Sequence, residues 1–481
     1  MRLAVNGVSP PMPSSATRKK GPNMISREVL AKLKNVVGAD DYWDQPADLA
    51  LYSFDSSVEN PALPQVVVRP QTTQQVAEIA RVCFDAEVPL ITRGSGTNLA
   101  GSSIPIAGGC VLLMTKMNRV LEINVEDMYA VVQAGAITLD VAEAIKKKGL
   151  FYPPDPGSQK MSTIGGNIAE NAGGLRGLKY GVTKDYVMGV TFVDMRGNII
   201  KAGGKTVKLC TGFNLTGLMI QSEGQLGVIT ECVLKIIPPP KAAKSMLVSF
   251  QNILDAGNTV SDIIRAHVLP ATMELMDNFT INTVHQATGV PLPTEAAALL
   301  LIEVDGHPAV VEEEYAVVQQ VCAKNHGDIK LANSAEEREA MWEGRRKALS
   351  SLARLRPTLV LEDATVPRTR IPEFLQALED IKARHQVTIG TFGHAGDGNL
   401  HPTILCDKRD QAEMERVHRA VDEIFEVALR LDGTCSGEHG IGLAKQKYMV
   451  REVGPGTVNF MKAIKHGVDP KNLLNPNKQA L

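Results

Sequence analysis

Apolar residues recur along this chain in two rhythms, one near 3.6 residues and one of two, and their order predicts the elements. Ser26 caps a short amphipathic helix whose inner face carries Leu30, Leu33 and Val36 or Val37. Val66-Val67-Val68 reads as a buried strand that ends at Pro70. Thr72 and Gln75 form a capping box for a helix with Val76, Ile79 and Cys83 facing inward. Pro89 to Thr92, Val111 to Met114 and Ala130 to Ala134 are strands, and Val141 to Lys148 is a helix stopped at Gly149. Strands at 189–193 and 199–202, joined through Arg196-Gly197, precede a longer one at 228–237. Pro238-Pro239-Pro240 cannot continue a central strand, so a domain boundary falls there.

Beyond the prolines the rhythm alternates strand and helix again. Strands are expected at 245–250, 299–304, 359–361 and 388–392, with helices at 253–266 and 310–324. Glu312, Glu313 and Glu314 lie on the outer side of the second helix and read as a solvated face. The predicted fold class is α+β. A small α+β unit and a mixed sheet make the first half, and an antiparallel sheet with helices on one face makes the second. The expected division is a disordered tail over 1–24, a first domain over 25–240, a second over 241–430 and a returning C-terminal segment over 431–481.

Composition narrows the class. A hydrophobic share of 44% with 22% charged residues suits a soluble globular protein, and a net charge of −2 argues against a nucleic-acid partner. No stretch is long and apolar enough to span a bilayer. The 7 cysteines are scattered with no C-x-x-C, so neither a zinc ribbon nor an iron–sulfur cluster is encoded, and a reducing, cytoplasmic setting is expected.

Two glycine-rich stretches interrupt the pattern: Arg93-Gly94-Ser95-Gly96-Thr97-Asn98-Leu99, and Ser162-Thr163-Ile164-Gly165-Gly166-Asn167-Ile168-Ala169-Glu170-Asn171-Ala172-Gly173-Gly174, the latter preceded by Pro153-Pro154-Asp155-Pro156-Gly157-Ser158. Backbone of this kind approaches a ligand closely and offers concave N–H sites for anions. Both read as walls of one nucleotide cleft. Leu99 stands where a dinucleotide fingerprint needs its third glycine, and Ile199 where a P-loop through Gly204-Lys205-Thr206 needs its first.

The second signal is Gly393-His394-Ala395-Gly396-Asp397-Gly398-Asn399-Leu400-His401, followed later by Gly437-Glu438-His439-Gly440. Two histidines on a tight loop can converge on one ion, and a carboxylate completes a site with open positions. His394, His401 and Glu438 are the expected ligands, with His439 free beside them. Two imidazoles and a carboxylate suit zinc, manganese or iron.

These motifs resemble the FAD-binding fold of the vanillyl-alcohol oxidase / p-cresol methylhydroxylase superfamily. The likeness is greatest to its branch of glycolate oxidase FAD subunits, D-lactate dehydrogenases and D-2-hydroxyglutarate dehydrogenases. It runs through Lys179-Tyr180-Gly181, through Ser222-Glu223-Gly224-Gln225-Leu226-Gly227-Val228-Ile229-Thr230, and through Leu473-Leu474-Asn475-Pro476. The resemblance implies FAD held by Arg93 to Leu99, Pro154, Asp155, Ser162, Gly165, Gly166, Asn167, Asn171, Gly173, Gly174, Tyr180, Gly181, Glu223, Gly224, Leu226, Gly227, Ile229 and Asn475. With no histidine before His267, it implies non-covalent FAD.

In that branch the two histidines and the glutamate bind a divalent metal, the next histidine is the base, and the arginine of W-x-x-R holds the substrate carboxylate. The matching residues are His439 and Arg345. Leu361 and Thr403 stand where hydroxyglutarate enzymes carry a lysine and an asparagine, which favours a small acid such as glycolate or D-lactate. The implied reaction is metal-assisted oxidation to the 2-oxoacid with hydride transfer to the flavin. D-2-hydroxyglutarate oxidation and a non-oxidative use of the fold, as in alkylglycerone-phosphate synthase, are the alternatives. Electrons would pass on to a quinone, a cytochrome or an iron–sulfur partner subunit, which could bring the protein to the inner membrane, and a homodimer is possible.

Overall fold

The computed structural model describes residues 24–332 and 334–481, so the tail expected to be disordered lies, apart from Met24, outside the described residues. Three sheets carry the chain. In the first, Val66–Val68, Cys110–Leu113 and Leu90–Arg93 pair in parallel, with Tyr42–Trp43 antiparallel at the edge. Parallel strands of one sheet need a crossover, and the helix Thr73–Asp85 supplies the one from Val66–Val68 to Leu90–Arg93, which flank Cys110–Leu113. Its Val76, Ile79 and Cys83 enter a core with Leu90 and Leu112. Thr72 caps it through the Gln75 N–H at 3.2 Å, while the Gln75 side chain reaches back to the Gln71 N–H instead of closing the expected box on Thr72.

The second sheet is antiparallel, in the order Val120–Asn124, Tyr129–Gln133, Val228–Lys235, Val187–Val193, Ile199–Gly203. Against it lies Ile164–Glu170, a helix where the glycine content suggests a loop. Thr163 caps it through the Gly166 N–H, and a Cβ on Gly165 would stand 2.7 Å from the Ala134 Cβ. Glycine therefore serves close packing there and not a turn. The helix stops at Asn171 in the left-handed region (φ 55°).

The third sheet has eight strands, and neighbouring strands run antiparallel. Alternation splits its strands cleanly: Met246, Val248 and Phe250 enter one core and Leu247 the other. The helices Ile253–Arg265, Pro308–Lys324, Ile371–His385 and Gln411–Arg430 cover the first face. On the opposite face, Asn278–Thr288, Ala335–Arg346 and Ala348–Leu352 cap part of the apolar surface. The rest of that face is where the polar cluster described below gathers.

The C-terminal segment returns to the beginning of the fold. Leu474 bridges Leu90 in parallel, the Leu90 N–H donates to the Leu473 carbonyl at 2.8 Å, and the Asn475 N–H donates to the Leu90 carbonyl at 2.9 Å. No helix among the described residues is long and apolar enough to cross a membrane.

Six cysteines are buried and Cys210 is exposed. Burial pushes the Cys406 thiol up to about 11 and those of Cys322 and Cys435 to about 12. A colorimetric disulfide reagent is therefore expected to titrate about one thiol rapidly in the native protein and all 7 after unfolding. Rapid reaction of three or more in the native protein contradicts this packing.

Candidate active site

The two histidines stand on strands, and the tight turn between them is shorter than the motif suggests. His394 ends Thr388–His394, His401 is the third residue of Asn399–Cys406, and residues 395–398 make the connection. Gly398 has φ 85°, and a Cβ there would lie 2.0 Å from the Val366 carbonyl, so this turn accepts only glycine. Phe392 pairs with His401 across the hairpin, which puts Phe392, His394 and His401 on the partly covered sheet face. Glu438 and His439 come from the glycine-rich loop after Gln411–Arg430.

The structure brings the four residues together. His394 Nε2 and His401 Nε2 each lie 3.4 Å from Glu438 Oε1, and His439 Nε2 lies 3.9 Å from the same oxygen. The rings of His401 and His439 stack with centroids 5.2 Å apart. Asp363, His401, Glu438 and His439 each bring one ligand atom within 4.8 Å of the others. Two imidazole nitrogens converging on one part-buried carboxylate oxygen form a donor set that suits a divalent cation.

The electrostatics divide the histidines. Burial disfavours the His394 imidazolium, yet Glu274 and Glu438 hold its pKa well above the ordinary value. Burial, with His401 and Lys445 and against the pull of Asp363, brings His439 down to about 4. At neutral pH His439 is thus an uncharged imidazole, and its buried Nδ1 has no partner among the described residues. Burial resists ionisation of Glu438 and Asp363, but His394 beside the first and Lys445 beside the second hold both carboxyls below their usual range.

Two carboxylates that the motifs do not reveal organise the cluster. Asp363 Oδ2 accepts the N–H groups of Glu438 and His439 and the Ser436 hydroxyl, each at 2.9 Å, with Lys445 Nζ at 3.5 Å. Glu274, on Thr272–Asp277, meets His394 on one side and Arg345 on the other. Arg345 lies in the last turn of the helix Ala335–Arg346 with its guanidinium 4.9 Å from the Phe392 ring and its Nε buried without a hydrogen-bond partner among the described residues. A signal for Glu274 exists in the sequence, a charged residue inside the apolar run Thr272-Met273-Glu274-Leu275-Met276, because a buried charge demands a partner.

The two glycine-rich stretches adjoin each other and the cluster. A Cβ on Gly94 would stand 2.3 Å from Thr163 Oγ1, one on Gly173 2.6 Å from Glu438 Oε2, and one on Gly440 2.1 Å from Glu170 Oε2. Around this junction Thr92 Oγ1 and Asn475 Oδ1 are buried with no partner among the described residues. Orphaned donors and acceptors beside glycine backbone fit a large polar cofactor such as FAD.

The expected contacts are of two kinds. Ser95 is exposed, and Gly94, Gly96, Thr97 and Leu99 are part-buried and clustered on the first loop. Several others brace the loops themselves. Arg93 donates to the Phe54 carbonyl, Asn98 to Asp55 and Asn167 to Thr138, while Asn171 accepts from the Lys184 N–H. Asp155 pairs with Arg176. Tyr180 donates to Asp305 in the second half of the chain. Glu223 accepts the N–H groups of Ile441 and Gly442, tying the Ser222–Thr230 run to the loop of Glu438. Pro154, Ser162, Gly173 and Gly174 are buried, Ile229 enters the core of the second sheet, Leu226 packs against it, and Gly227 meets Phe192. Gly165 and Gly166 lie in the capped helix, and Gly181 and Gly224 have positive φ. Asn475 donates to the carbonyls of Ser102 and Glu223.

A family profile described as FAD linked oxidases, C-terminal domain, matches residues 239–479, and one described as FAD binding domain matches residues 64–203. The chain is 47% identical over 456 residues to the glycolate oxidase subunit GlcD of Bacillus subtilis (strain 168), covering 95% of this chain and 97% of that one. It is 33% identical to a D-lactate dehydrogenase of Anaerostipes hadrus, over 95% of this chain and 98% of that one. Among solved structures, p-cresol methylhydroxylase with substrate bound superposes with a TM-score of 0.81 at 18% identity, covering 96% and 98% of the two chains. An alkyldihydroxyacetonephosphate synthase gives 0.75 at 20%, covering 96% and 88%.

Proposed function

The chain belongs to the FAD-linked oxidase family, as an FAD-dependent oxidoreductase acting on CH–OH donors, and we propose that it oxidises a small D-2-hydroxyacid to the 2-oxoacid. The observation that carries this reading is the convergence of His394 and His401 on Glu438, with a neutral His439 beside them and Arg345 behind. Bound FAD supplies two-electron acceptance, and a divalent ion at His394, His401 and Glu438 supplies Lewis acidity.

The protein's own residues do the rest. Arg345 binds the substrate carboxylate through the part of its fork that Glu274 leaves free. His439 takes the hydroxyl proton at Nε2, the nitrogen that faces Glu438. The backbone bonds to Asp363 hold the His439 loop in place as the proton moves. Leu361 and Thr403 are cross-strand partners, and the Thr403 hydroxyl already donates to the His401 carbonyl at 3.2 Å. A second substrate carboxylate would meet an apolar side chain and an engaged hydroxyl there, so glycolate or D-lactate is preferred over D-2-hydroxyglutarate.

Anaerobic bleaching of flavin absorbance by a panel of acids tests the reading. Bleaching by D-lactate or glycolate is expected, and a protein that no 2-hydroxyacid bleaches refutes it. Chelation that removes the metal and leaves FAD bound is expected to slow bleaching about 100-fold or more, given several kcal/mol of Lewis-acid stabilisation. Undiminished bleaching by the stripped protein removes the metal from the reaction. Relatives named as a subunit support an onward partner, and its class is read by which of a quinone, a cytochrome or an iron–sulfur protein reoxidises the reduced enzyme.

A further inference from the structure

We propose that Glu274 is a positioning residue that holds the carboxylate anchor Arg345 and the metal-site residue His394 as one rigid unit, an inference that rests on the function proposed above. Glu274 is 1% exposed, and a carboxylate so buried persists only when both oxygens are engaged. Oε1 is hydrogen-bonded to His394 Nδ1 at 2.7 Å, and Oε2 is engaged by Arg345 Nη2 at 2.6 Å as an ion pair without hydrogen-bond geometry. Register brings this about: Leu275 pairs with Gly393, which sets Glu274 beside His394 on the neighbouring strand. Phe392, two residues before His394 on the same face, carries the guanidinium over its ring. Arg345 is thereby fixed by two side chains from adjacent strands.

The consequence reaches both ends of the substrate. A carboxylate on the far nitrogen of a histidine sets its tautomer, presents Nε2 toward Glu438 and strengthens it as a ligand. The same carboxylate neutralises the guanidinium and aims its remaining donors. One side chain thus fixes the spacing between the group that takes the acid's carboxylate and the cluster that takes its hydroxyl.

Two substitutions separate the roles. In Glu274→Gln the side-chain carbonyl still accepts from His394, while Arg345 loses its counter-charge. The KM for the acid is expected to rise about tenfold or more, with zinc affinity of the apo-protein, measured by titration without substrate, within about threefold of the parent. In Glu274→Ala both tethers go, and zinc affinity is expected to fall about 10- to 100-fold as well. Introduced into Arg345→Met, Glu274→Gln is expected to change KM less than about twofold, because its partner is already missing. That cycle decides the matter if the alanine variant fails to fold. A parental KM in Glu274→Gln, or parental zinc affinity in a folded Glu274→Ala that retains FAD, overturns the inference while leaving the proposed function standing. A parent protein that binds neither zinc nor any 2-hydroxyacid overturns both.

Discussion

Replacing His439 by asparagine is expected to slow flavin reduction by about 10²- to 10⁴-fold while FAD remains bound, the range lost when a positioned general base is removed. The substitution is mild in every other respect. The backbone N–H that bonds to Asp363 is kept, and the lost Nδ1 had no partner to orphan. Because the imidazole is held near 4, it is uncharged at neutral pH, and its removal does not unbalance the cluster's charge. Substrate affinity should change little, so kcat and kcat/KM fall together, the signature of an interaction made only in the transition state. Anaerobic stopped-flow measurement of flavin absorbance reads this directly. A variant that reduces its flavin within about threefold of the parent takes the base role away from His439.

The second large effect is expected at Asp363, and it combines stability with catalysis. Asp363→Asn preserves shape but removes the charge that faces Lys445 and places an amide opposite two backbone N–H groups and a hydroxyl. Breaking a fully buried charge pair in this way costs about 3–5 kcal/mol. The Glu438-His439 loop should detach from the Asp363 turn, so the melting temperature and the rate of flavin reduction fall together. Ser436→Ala deletes one hydrogen bond to the same oxygen and should cost only about 0.5–1.5 kcal/mol. A calorimetric scan of both variants makes the comparison. Equal melting temperatures for the two would mean that Asp363 does not anchor the loop.

Much of the architecture could be read from the chain because local and tertiary demands agree there. The strand at Val66–Val68 and the helix Thr73–Asp85 bury the faces that their periodicity predicts, and Pro308–Lys324 exposes Glu312 and Glu313 as expected but part-buries Glu314, with its Oε2 out of solvent. Ile164–Glu170 defeats such reading, since glycine lowers helix propensity and the gain comes from contact with Ala134, which no local pattern encodes. His394, His401 and Glu438 announced themselves by residue type and spacing. The carboxylates that orient them did not, because Glu274 and Asp363 lie 120 and 76 positions from the groups they serve. Strand register and loop docking create those contacts. An acidic residue alone in an apolar strand marks that a partner exists without naming it.

The pairing of Leu474 with Leu90 and the tether of Asn475 to Ser102 and Glu223 also bear on biogenesis. Leu473 and Leu474 belong to the core built around the first parallel sheet. A nascent chain leaving the ribosome can assemble that sheet early, but its last wall is still untranslated. A grip on the flavin that depends on Asn475 then waits until synthesis has passed that residue.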